Sequence, residues 1–238
     1  SISLDATIAP YTTDGDLALD PGLLGDEPAL EAAMRAAGFD LKRNPEGHIE
    51  PGTWITQTSI GHVTYDVPVD LIVPDAVAGA GRRGARLPAH GNQAARRAVG
   101  LEAALIDHAP ATISPLDPDD DRSVVAEVAG IAALFVAKAH KLHDRIQSAP
   151  GDRLSDKDAS DVIRLMQSSD PDAVRSTMHR LADDETAGPV TGAALDYLQE
   201  LFGRRNGQGV QLAVRAMQAA IPSVRIEAIA VAYIMALL

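Results

Sequence analysis

The chain has 238 residues, a net charge of −12 and no cysteine. That length can bury two modest cores without a disulfide or structural metal. Thiol chemistry and Cys-ligated zinc are excluded, and a reducing, cytoplasmic setting is expected. The negative balance argues against a protein that coats nucleic acid indiscriminately. Charge is nevertheless sorted along the chain. Arg82, Arg83, Arg86, Arg96 and Arg97 fall between Val77 and Leu101 with no acid among them, and DPDDD at Asp117–Asp121 is a compact acidic run. No run approaches the roughly 18 uncharged apolar residues of a membrane helix, so no membrane partner is expected. The first residues lack the basic-then-apolar pattern of a signal peptide.

In chain order, the first landmark is TTDGDLALDP, Thr12 to Pro21, where Asp14 and Asp16 sit two apart before a short strand near Leu17–Leu19. Residues i and i+2 of a strand share a face, so this places two like charges side by side. A helix is expected over Glu27–Gly38, with Leu30, Ala33, Met34 and Ala37 on one face and Gly38 as its stop. Strands are expected at Trp54–Thr58 and at Val67–Val73, the latter β-branched and bounded by prolines. The stretch AGAGRRGARLPAHGNQAARR, Ala78–Arg97, carries too many glycines for a regular element and reads as a loop leading into a helix near Gln93. Two further short strands are expected near Ala111–Ser114 and Val124–Val128.

After Gly130 the spacing of apolar residues becomes helical. Helices are expected near Ile131–Gln147, Asp156–Ser168, Pro171–Ala182, Pro189–Phe202, Gly209–Ala220 and Val224–Leu238. Ser155 with Asp158 reads as an acidic variant of a capping box, and Asp170-Pro171 and Gly188-Pro189 as helix starts. The expected architecture is α+β: an N-terminal mixed-sheet domain over residues 1–130, then a helical domain over residues 131–238.

Three groups of residues could carry chemistry. Asp14 and Asp16 present oxygen ligands suited to Mg²⁺ or Mn²⁺, and a bound metal would relieve their repulsion. Asp70 lies within the apolar strand VPVDLIVP, where a carboxylate is costly unless paired or ligating. Beside Asp14 and Asp16 it would complete a three-carboxylate cluster able to hold metal for phosphoryl or nucleotidyl transfer. Asp66 is a weaker candidate because it precedes the strand. On the helix IAALFVAKAHKLHDRI, residues Ile131, Leu134, Phe135, Leu142 and Ile146 form one stripe, and Lys138, Lys141 and Arg145 fall inside it or at its edge. Cations normally occupy the opposite face. Snorkelling explains one or two of them; three together suggest an anionic partner, a triphosphate or an acidic cluster. In SDKDASDVIRL, capping accounts for Asp158 but not for Asp161, a turn further in. The arginine-rich loop could grip phosphates through Arg forks or be solvated surface. His90 in the same loop reads as structural.

The order TTDGDLAL, VDLIV, LFVAKAHKLHDR, SDKDASDVIRL resembles the AbiEii-like nucleotidyltransferases, toxins of type IV toxin–antitoxin systems related to the mycobacterial MenT toxins, within the polymerase-β-like superfamily. The resemblance runs through Leu165. It implies a nucleotidyltransferase domain in which Asp14, Asp16 and Asp70 hold Mg²⁺. It further implies that Lys138, with Lys141 and Arg145, faces a nucleoside triphosphate, and that Asp158 or Asp161 is the late acidic motif. The tRNA 3′ end is the implied acceptor, with Arg82, Arg83, Arg86, Arg96 and Arg97 as contacts, and an antitoxin is an implied partner. The superfamily carries a Gly-Ser or Gly-Gly turn before its DxD, whereas SISLDATIAPYTT has no glycine. The alternative reading is therefore a protein that binds nucleotide without turnover, or one whose helical part serves an interaction with an antitoxin.

Overall fold

The structure, a computed structural model, describes residues 15–115, 117, 119–148 and 153–238, the side chains of residues 60 and 153–155 excepted. Strands occupy the N-terminal part and helices the C-terminal part of an α+β chain. It divides into two compact units, one running to Leu101 and the other from Glu102 to Leu238. The division thus falls before Gly130, where the composition changes. Among the described residues no helix is long and apolar enough to cross a membrane.

The first unit is a mixed sheet. Strands β1 (Gly15–Ala18), β2 (Asp40–Arg43), β3 (Ile49–Ile60), β4 (Val63–Pro74) and β5 (Arg96–Ala98) lie in the order β1-β4-β3-β2, with β5 also pairing β4. β4 is the hub: it takes β1 and β5 in parallel and β3 antiparallel. Alternation sends Leu71 and Val73 into a core with Trp54, Leu41 and Ala94, and turns Asp70 to the other face. The expected helix is present but shorter, α1 over Leu30–Ala36. It begins where His90, 8% exposed, accepts a hydrogen bond from the Leu30 backbone at Nδ1, 3.0 Å away. His90 therefore has a structural task, and its neutral tautomer carries the proton on the other nitrogen.

The segment after Val77 is not a helix at Gln93. Trp54 Nε1 donates to the Ala94 carbonyl at 2.8 Å, Gly52 N donates to the Gln93 carbonyl at 2.9 Å, and the chain enters β5 at Arg96. Tertiary pairing overrides the local helical preference of QAARRA. Nor is the loop loose. Arg97 grips Asp75 and the carbonyls of Gly79 and Gly81, and Ala85 and Arg86 donate backbone hydrogen bonds to Ala95 and Ala78.

Gly52 makes the junction possible. Its φ is +78°, and a Cβ there would overlap the Arg96 backbone nitrogen and lie 2.6 Å from the Leu71 carbonyl oxygen. β3 can pass close to the start of β5 only with no side chain at this point.

In the second unit, β6 (His108–Ile113) and β7 (Val124–Ala129) form an antiparallel hairpin. It is followed by α2 (Ile131–Ser148), α3 (Arg153–Ser168), α4 (Pro171–Ala182), α5 (Gly188–Phe202), α6 (Gln208–Met217) and α7 (Ser223–Leu237). Their shared core holds Phe135, Leu142, Ile163, Leu198, Phe202, Ile226 and Ile234. The buried face of α2 takes in Phe135 and Leu142 of the expected stripe, with Ile131 and Ile146 packed against the core, and adds Ala132, Val136 and Ala139 beside them. Alanines let neighbouring helices approach, so small residues mark the buried face here. Asp170 caps α4 as expected, accepting from Asp172 N at 3.0 Å. Helix α3 instead begins at Arg153, ahead of Ser155, and Asp158 is turned toward α2 rather than toward its own helix end.

Gly52→Ala should destabilise the first unit by about 2 kcal/mol or more, since a left-handed position and a backbone clash coincide. Thermal denaturation of the full chain should show one transition moved down by several degrees. An unchanged melting curve would mean that β3 does not approach β5 this closely.

Candidate functional site

Two clusters take in most of the residues singled out from the sequence, one in each unit. In the first unit, parallel pairing of β1 with β4 sets Asp16 directly opposite Asp70. Both face away from the core, and Asp70 is the more enclosed, its side chain 17% exposed against 56% for Asp16. Asp14 lies outside the described residues. Like charges on neighbouring strands repel, and the structure meets that repulsion with Arg96. Its Nη2 and Nε donate to Asp70 Oδ2 at 2.9 and 3.2 Å, and Nη2 lies 4.0 Å from Asp16 Oδ1.

The five arginines thus divide into two kinds. Arg96 and Arg97 turn inward, onto Asp70 and Asp75. Arg82, Arg83 and Arg86 are exposed, on a loop held in shape by its own hydrogen bonds. Asp66 lies further along β4, outside the cluster, and accepts from Gln57 Nε2 at 3.0 Å.

The second cluster joins α2 to α3. Lys138, Lys141 and Arg145 lie three and four residues apart on one line of α2, and Asp158 and Asp161 one turn apart on α3, spacings that align side chains along a helix. Lys138 Nζ donates to Asp161 Oδ2 at 2.7 Å and to Asp158 Oδ1 at 3.4 Å. Arg145 makes a short contact with the other oxygen of Asp158, and Lys141 Nζ lies 3.9 Å from Asp158. Arg164, which the motif reading did not include, donates to Asp161 at 3.0 Å and to the Ser160 hydroxyl at 2.9 Å. Its position three residues after Asp161 was the available signal. The Asp158 side chain is 2% exposed and surrounded by cations. The anionic partner that α2 called for is, in this structure, the chain's own carboxylates. His140 and His143, outside that line, pack on Tyr197 of α5, His143 stacked at 3.8 Å between ring centroids.

Burial disfavours the Lys138 ammonium, but the hydrogen bond and charge of Asp161 and the charge of Asp158 outweigh it, so its pKa is raised.

Asp16 and Asp70 offer what a hard divalent cation takes: carboxylate oxygens on adjacent strands, open to solvent on one side. Among the described residues, no group of three or more His, Asp or Glu side chains forms a ready metal cage. The pair fits a metal that completes its shell with other ligands. Compared with known families, with curated proteins and with solved structures, the chain matches none.

Asp158→Asn leaves three cations facing a neutral amide and should destabilise the second unit by about 3–5 kcal/mol. A pH effect follows from Lys138. A lysine whose pKa is higher folded than unfolded adds stability that is complete below the unfolded value and is lost as pH rises through the folded one. Alkaline melts should therefore lose stability as pH rises above the ordinary lysine range. Lys138→Met should flatten that loss; an equally steep loss in the variant would show that Lys138 is not its source.

Proposed function

We propose that the protein is a Mg²⁺-dependent nucleotidyltransferase that moves a nucleotidyl group from a nucleoside triphosphate to an acceptor hydroxyl. The observation that carries this reading is the register setting Asp16 against Asp70. Two motifs 54 positions apart in the resemblance meet as neighbours on adjoining strands.

In this reading Asp16 and Asp70, with Asp14, hold the metal, and Asp70 orients the acceptor hydroxyl and accepts its hydrogen bond. Bound Mg²⁺ would supply charge stabilisation at the transferring phosphate. The resemblance would also give Lys138, Lys141 and Arg145 a triphosphate to neutralise, but Asp158 and Asp161 already meet those cations, so the reading rests on Asp16 and Asp70. Arg82, Arg83 and Arg86 contact the acceptor's phosphate backbone, for which tRNA is the acceptor that the resemblance to AbiEii-like toxins implies. That resemblance also supplies the proposed antitoxin partner.

The test is incubation of the full chain with total tRNA, Mg²⁺ and each labelled nucleoside triphosphate. Label should enter tRNA and fall at least about 100-fold in Asp16→Asn and Asp70→Asn, the usual cost of removing a group that stabilises transition-state charge. Equal labelling by the Asp70→Asn variant would overturn the assignment. Triphosphate binding with no transfer to any acceptor would leave a nucleotide-binding protein.

A further inference from the structure

Arg96 is not explained by the metal reading, and the geometry makes it a competitor for the metal's place. It begins β5, which pairs in parallel with β4 so that Arg96 stands beside Ile72. Ile72 and Asp70 share a face of β4, so the Arg96 side chain reaches back along that face to Asp70. Nε and Nη2 both close on Oδ2, and Nη2 also approaches Asp16. One guanidinium thus serves the two carboxylates that a cation would serve. Its backbone is fixed by the strand and by the close passage of Gly52, and its side chain is 34% exposed, with room to turn toward solvent.

We propose that Arg96 is a built-in counter-ion for the Asp16–Asp70 pair, exchanged for the divalent cation when the site loads. The inference rests on the metal reading of that pair and adds its regulation. A guanidinium and a divalent cation cannot both hold Asp70 Oδ2 without facing each other across one oxygen, where their charges repel. A metal that takes Asp70 Oδ2 together with Asp16 therefore displaces the guanidinium. The released fork is a bidentate phosphate donor, and the triphosphate that accompanies the metal is the anion it would next engage. Before loading, Arg96 offsets one of the two negative charges and lets β1 pair with β4. After loading, the same charge is free for substrate. Metal affinity in the absence of nucleotide is thereby held down, and metal and nucleotide favour each other's arrival.

The experiment is titration of the full chain with Mn²⁺ alone, read by calorimetry and by thermal shift, in the unaltered protein and in Arg96→Gln, Arg96→Lys and Asp70→Asn. Arg96→Gln should bind Mn²⁺ about tenfold more tightly, the scale of one charge-assisted hydrogen bond removed from competition. Without metal it should melt lower, because two carboxylates are left facing each other, and added Mn²⁺ should restore more of its melting temperature than it adds to the unaltered protein. Arg96→Lys keeps the charge and should stay near the unaltered affinity. If Mn²⁺ binds and is lost in Asp70→Asn, but Arg96→Gln binds no more tightly, the counter-ion role is overturned and the metal site stands. If no protein in the set binds Mn²⁺, the metal reading fails and takes the proposal with it.

Discussion

The first unit turns on one electrostatic problem: two carboxylates side by side on parallel strands. Gly15–Ala18 joins the sheet by pairing with β4, and that register sets Asp16 opposite Asp70. A neutral partner would leave the repulsion in place, and a shift by one residue would turn Asp16 toward the core. The chain instead returns through the arginine-rich loop to bring a guanidinium to the pair. The loop's ordered path, the glycine at the β3 crossing and the Trp54 anchor at Ala94 all serve to deliver Arg96 to that position.

The second unit solves a related problem differently. There the carboxylates are apart in charge environment rather than alike in it: Asp158 and Asp161 sit among Lys138, Lys141, Arg145 and Arg164 at the α2–α3 contact. Removing charges from water is costly unless each is met by partners of opposite sign, and here the partners are preorganised by two packed helices. Such an interface resists sliding, because a one-residue turn of either helix would separate the sets. At the other end of α2, Asp107 seals the helix start, its carboxylate accepting from Ala133 N at 2.9 Å and its carbonyl from Gly130 N at 2.7 Å. A side chain at Gly130 would press on that carboxylate.

The helices were the most legible part of the sequence. Apolar spacing with Pro at the starts fixed Pro171–Ala182 to the residue and the others to within a few residues. The alanines of the α2 buried face were missed because alanine contributes little to a hydrophobic stripe yet packs closest. Strand β2 escaped notice: Asp40–Arg43 has polar residues and a break in its pairing with β3, so neither alternation nor β-propensity marks it. The same limit explains Gln93. Its neighbours favour helix, and the bonds that override them come from Gly52 and Trp54, some 40 residues away in sequence. Of the site, Asp16 is visible as half of an acid pair two residues apart, Asp70 as an acid in an apolar strand, Lys138 as a cation in an apolar stripe, and Asp161 as an acid beyond the reach of capping. That Arg96 belongs with Asp70 was not visible, since no local period links residues 26 apart.

The parallel pairings of β4 also impose an order of events on synthesis. β1 is made early but its partner strand comes some 45 residues later, and β5 later still. Parallel pairing across such a separation must first close a long loop, an entropic cost that slows its formation. A nascent chain ending anywhere before Arg96 holds two unneutralised carboxylates and an unfinished sheet edge. Until Arg96 joins β5, the Asp16–Asp70 pair has no guanidinium beside it.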